Sequence, residues 1–210
     1  MGIYFYFPSS KELFVLHFFW IFVSFSFGFY SGYMLEQSKK DTFLAYEALI
    51  AMTSADSLTG FQNKNNLADL IRIEVSRFKR YGHPFSIVLM TIDNFKELKA
   101  IYGHQISDLV LIELAQLIKD HIRLTDVVVK WEAGEFIIIY QETDEDVLKI
   151  LAEKLRHSIE EYTFKNVGKK TISVGITSYR EHDDPDTIIK RVDMALSRAK
   201  MKGKNNIEFL

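Results

Sequence analysis

The stretch Glu132-Ala133-Gly134-Glu135-Phe136 separates two apolar runs and sets two carboxylates around two small residues at what reads as a hairpin tip. Small residues at such a tip let a polyphosphate approach bare backbone, and a carboxylate beside them can hold a hard cation. Glu132 works against that chemistry, because it puts a negative charge where phosphate would lie. Upstream, Thr91-Ile92-Asp93 offers a hydroxyl and a carboxylate on one face of a strand, by the period of two. A second constellation, Arg123-Leu124-Thr125-Asp126, sets a guanidinium three residues before a carboxylate. From pattern alone that is an ordinary surface ion pair, worth less than about 1 kcal/mol.

Other chemistries find little support. The chain has no cysteine, which removes disulfides, thiolate metal sites and a thiol nucleophile together. His17, His83, His104, His121, His157 and His182 show no metal-ligand spacing, and no Ser/His/Asp hydrolase signature stands out. The acidic run Arg180–Asp186 has the composition of a Ca2+ loop, but a helix N-cap at Asp184 or Asp186 explains it better. With a net charge of -2 and a pI near 6.3, no global basic field points to nucleic acid. No metal is expected.

The elements that must position these residues follow from periodicity. Residues 13–35 are 23 positions without Asp, Glu, Lys or Arg, long enough for a helix to cross a hydrocarbon core of roughly 30 Å. A cleaved signal peptide and a buried core helix are the alternatives. The run is long for the first, although Ser31 and Gly32 offer a weak cleavage option. Lys39 and Lys40 beyond the span favour a cytoplasmic C-terminal side. Residues 1–12 are then a short N-terminal segment and 36–55 a connecting helix, with Phe43, Tyr46 and Ile50 on one face. From Asp56 onward, helical patterns (66–82, 107–122, 145–162, 185–203) alternate with strand patterns (84–92, 126–131, 135–140, 170–179). The expected fold is an α+β sandwich with a mostly antiparallel sheet flanked by helices.

Several motifs in one register then carry a family resemblance over residues 56–210. "DSLTGFQNK" (56–64), "IDNFKELKAIYGH" (92–104) and "ALSRAKMKGKNN" (195–206) resemble the opening, central and closing signatures of GGDEF domains, the diguanylate cyclase family. The resemblance implies a nucleotidyl-cyclase-like sandwich on the cytoplasmic side of the inner membrane, anchored by a single span. Working members condense two GTP molecules into cyclic di-GMP across a homodimer, with Mg2+ held by carboxylates of the central strand and hairpin. By that correspondence the principal metal carboxylate is Thr91 here, the two glycines are Glu132 and Ala133, and the third hairpin acid is Gly134. The guanine-reading Asn is Lys99.

Asp93, Lys96, Asp108, Glu135, Lys200 and Lys204 survive as a residual nucleotide pocket, with Mg2+ a cofactor only if nucleotide still binds there. The resemblance therefore implies a degenerate member with no catalytic residues. It also assigns "RLTD" to the family's RxxD inhibitory site, in which Arg123, Asp126 and, on the next helix, Lys154 would hold cyclic di-GMP. An Arg fork matches guanine O6 and N7, and a carboxylate can accept from guanine N–H groups. The function expected is a catalytically inactive receptor that signals to a protein partner or through a homodimer. A ligand-independent scaffold and a weak or altered cyclase are the alternatives.

Overall fold

The computed structural model describes residues 10–52, 55–143 and 145–210. By its internal contacts the chain divides into two units, residues 1–50 and 51–210. In the first, helix α1 (Ser10–Met52) is continuous, so the expected change from span to connector at residue 35 does not interrupt it. Val15–Lys40, 26 residues with a mean hydropathy of 1.4 and no buried position, is long and apolar enough to cross a membrane.

The second unit is a three-layer sandwich. Its sheet runs β1 (Gln62–Asn63), β3 (Val127–Glu132), β4 (Glu135–Gln141), β2 (Phe85–Ile92), β7 (Ile172–Ser178), β8 (Ile207–Phe209). The four inner strands are antiparallel, whereas β1 and β8 pair in parallel at the two edges, so the sheet is mixed. All eight residues of β2 are buried, which fits its continuous apolar sequence and its central place. Its side chains alternate between two cores. Val88 and Met90 meet α3 (Phe95–His121) and α4 (Glu145–Glu161) on one face. Ile87 and Leu89 meet α2 (Leu67–Tyr81) and α5 (Pro185–Met201) on the other. A small hairpin, β5 (Thr163–Phe164) and β6 (Gly168–Lys169), precedes β7.

Three local devices fix the frame. Gly82, at φ +74, ends α2 in the left-handed conformation that glycine adopts without a Cβ penalty. Asp184 caps α5 by accepting from the Thr187 N–H, so the acidic run Arg180–Asp186 is a helix start. Arg191 then ties that start down with two bonds to Asp183 and one each to Thr177 and Ser178. Helix α3 begins at Phe95, earlier than the expected 107, and breaks direction at Gly103. The short strands β1, β5, β6 and β8 carry no period and were not expected.

Candidate functional site

The register of β2 and β4 separates two candidate sites. Thr91 pairs with Glu135 at one end of the sheet and Phe85 with Gln141 at the other. Six residue steps along β4 put the ends about 20 Å apart.

At the first end, the β2–α3 turn, the β3–β4 hairpin and the C-terminal end of α5 enclose an open cleft of about 280 Å³. It contains Asp93, Lys96, Glu135, Lys200 and Lys204 of the expected pocket, together with Thr91. Asp108 and Lys99 are not part of its lining, and Asp108 is exposed on α3. Asp93 is only 8% exposed and accepts three hydrogen bonds. Its Oδ2 accepts from Thr171 Oγ1 at 2.6 Å and from the Asn205 N–H at 3.0 Å, and its Oδ1 accepts from Ser173 Oγ at 2.6 Å. This carboxylate fastens β2 to β7 and to the loop after α5. Arg156 and Glu160 of α4 support the same loop through the Asn205 side chain. Lys204, in the left-handed region, donates to Asn94 Oδ1 across the cleft, and Lys200 lies 3.3 Å from Glu135.

The hairpin tip explains the small residues. Gly134 has φ +79, and a Cβ built on it would lie 2.7 Å from Cγ and Cδ1 of Phe95. The ring of the first α3 residue therefore fills the space a side chain at 134 would need. The strand register shifts between Lys130 and Glu132 to make the turn. Lys130 braces it by donating to the carbonyls of Glu132 and Glu135 while its ammonium sits 4.5 Å from the Phe136 ring centroid. Burial lowers the Lys130 pKa to about 8, against the opposing fields of Asp56, Glu135 and Glu132.

Mg2+ asks for near-octahedral oxygen ligands, usually one or two carboxylates with water and phosphate. The residues of this cleft do not fit that demand. Asp93 is taken up by three internal donors, position 91 supplies a neutral hydroxyl, position 134 supplies nothing, and Glu135 already faces an ammonium.

At the second end, Arg123-Leu124-Thr125-Asp126 forms the turn between α3 and β3. The carboxylate of Asp126 points inward: Oδ2 accepts from the Arg123 N–H at 2.9 Å and Oδ1 from the Gln141 N–H at 3.4 Å. At 8% exposure, burial raises its pKa, opposed by those two amides and by the charge of Arg123. Arg123 and Asp126 form no side-chain ion pair, and the Asp126 carboxylate faces two backbone amides. Arg123 is exposed, and among the described residues nothing in the chain hydrogen-bonds its guanidinium. Lys154 is exposed on α4.

A family profile described as "Diguanylate cyclase, GGDEF domain" matches residues 53–206. The chain belongs to the GGDEF family. It is 31% identical over 158 residues to Diguanylate cyclase DosC of Escherichia coli K12, covering 73% of this chain and 34% of that protein. The chain thus spans about a third of that relative's length. The structure of the active GGEEF domain of a diguanylate cyclase from Vibrio cholerae is 31% identical, with a TM-score of 0.66 over 70% of this chain and 96% of the other. The GGDEF domain of DgcB from Caulobacter crescentus, solved with c-di-GMP, shares the fold at 21% identity, with a TM-score of 0.71 over 75% of this chain and 95% of that one.

This GGDEF domain also uses Phe95 and Asn205, which lie inside the quoted motifs, and Lys130 of the hairpin, none of which the sequence singled out for its role. A Gly at 134 followed by a strand was the available signal for a crowded turn. Asn205 falls in the closing motif, but its spacing gave no sign of the bond to Asp93.

Proposed function

We propose that this GGDEF protein is a membrane-anchored receptor for cyclic di-GMP that does not make it. Arg123 offers its fork to a guanine edge, Lys154 offers a point charge toward a phosphate, and Asp126 holds the loop that presents Arg123. The observation that carries this is the Arg123 side chain: exposed, unengaged among the described residues, and mounted on a turn closed by a buried carboxylate. DgcB of Caulobacter crescentus, of the same fold, was solved with c-di-GMP. The make-up of the cleft supports the loss of synthesis. Removing one preorganised electrostatic group costs about 100- to 1,000-fold in rate, and here positions 91 and 134 both lack one. The domain then acts through its contacts with a protein partner or a second copy, on the cytoplasmic side of the membrane that α1 spans.

The test is a pair of assays on the full chain in detergent micelles. GTP with Mg2+ or Mn2+ yields no cyclic di-GMP above the enzyme-free blank, and cyclic di-GMP binds in the micromolar range or tighter. Product formation or absence of binding would each remove half of the proposal.

A further inference from the structure

The turn that carries Arg123 is not held by Asp126 alone. One of the two amides closing it belongs to Gln141, the last residue of β4. The Gln141 side chain donates from Nε2 to Oε1 of Glu74 at 2.8 Å. Glu74 lies on α2, is 6% exposed, and takes Arg77 Nη1 on the same oxygen at 2.8 Å. A buried carboxylate on one helix thus anchors the strand end whose backbone anchors Asp126. The next residue, Glu142, sits in the left-handed region at φ +47 and meets His83 at 2.7 Å. Both partners of that second pair are more than half exposed, so solvent screens it. The Glu74 bond is partly buried, and it adds a side-chain anchor to the Phe85 pairing that already holds Gln141 in the sheet.

We infer that Glu74 and Gln141 are positioning residues for the Arg123 turn, acting through Asp126. This rests on Arg123 being the ligand contact, but its structural half can be read without ligand. Breaking the Glu74–Gln141 bond loosens the β4 end, lengthens an already long amide bond to Asp126, and lets the turn sample conformations that do not present the guanidinium.

The experiment compares wild type, Glu74→Ala and Glu74→Gln, each as the full chain in detergent micelles. Amide hydrogen exchange at Arg123 and Gln141 is measured first, without ligand, and cyclic di-GMP is then titrated calorimetrically. Glu74→Ala speeds exchange at both amides about tenfold and weakens binding about three- to tenfold, as expected for loss of a partly buried hydrogen bond. Glu74→Gln keeps an acceptor oxygen and restores both readouts. If Glu74→Ala does not fold, Gln141→Ala removes the same bond from its less buried side and is read identically. Unchanged exchange in the alanine variants overturns the inference, as does a Glu74→Gln variant that behaves like Glu74→Ala. Faster exchange in a protein whose wild type binds no cyclic di-GMP leaves the positioning intact and removes the receptor instead.

Discussion

The two ends of the central sheet hold similar chemistry and use it differently. Each has a buried aspartate at 8% exposure, and in each the carboxylate faces inward. At the cleft end, Asp93 binds donors from β7 and its approach and from the loop after α5, and Lys200 and Lys204 already face Glu135 and Asn94. At the other end, Asp126 binds two backbone amides and leaves its neighbouring guanidinium outside. The difference is instructive because a carboxylate in a motif position says little about binding until its acceptor sites are assigned. At the cleft two of three lining lysines, Lys200 and Lys204, are taken up by side chains of the domain and Lys96 stays exposed, whereas at the other end the Arg123 guanidinium faces solvent from a turn closed by a buried carboxylate.

The largest effect should come from trying to reopen the cleft. Thr91→Asp with Gly134→Glu restores two carboxylates in name. A side chain at 134 must hold a left-handed φ and displace the Phe95 ring, so the variant loses about 2–5 kcal/mol of stability. Thermal unfolding measures the loss, and GTP turnover stays at the blank. A variant as stable as wild type that makes cyclic di-GMP would break the contrast between the two ends.

Deleting each buried aspartate sharpens the comparison. Asp93→Ala strands two hydroxyls and an amide and should cost about 2–4 kcal/mol. Asp126→Ala strands two amides, one of them at a long distance, and should cost about 1–2 kcal/mol. Denaturant midpoints decide the order. If Asp126→Ala were the more damaging, the inner turn and not the cleft would be the tighter junction.

A separate effect is on pH. Lys130 titrates near 8 in the folded chain, against an ordinary value of 10.5. Between those values the unfolded chain still holds a proton that the folded chain has released, so this group makes stability rise with pH across the window. Lys130→Met should remove that rise, as read from unfolding midpoints at pH 7.5, 9 and 10. An unchanged slope would place the hairpin ammonium in solvent.

How much of this was legible beforehand depends on sequence distance. The long apolar runs of β2, β4 and β7 and the periodic helices α2, α4 and α5 could be read because their patterns are local and repeat. The edge strands β1 and β8 are two and three residues long, too short to show a period. The start of α3 was hidden by Gly103, which punctuates the sequence as a turn while only kinking the helix. Cleft membership was legible for Lys96, Lys200 and Lys204 through the motifs, but the three bonds to the Asp93 carboxylate were not. Its partners lie 78, 80 and 112 residues away, brought together only by the β2–β7 pairing and the loop after α5. The inward turn of Asp126 was closer to hand, since an Asp that accepts from an amide three residues earlier is a local motif.

The most direct single measurement titrates cyclic di-GMP calorimetrically into three full-length proteins in detergent: wild type, Arg123→Ala and Lys204→Ala. Binding should fall by about 100-fold or more in Arg123→Ala, the scale of a lost bidentate base contact, and stay within about twofold in Lys204→Ala. Equal binding by wild type and Arg123→Ala, or a loss confined to Lys204→Ala, would contradict the assignment of the ligand to the end of the sheet opposite the cleft.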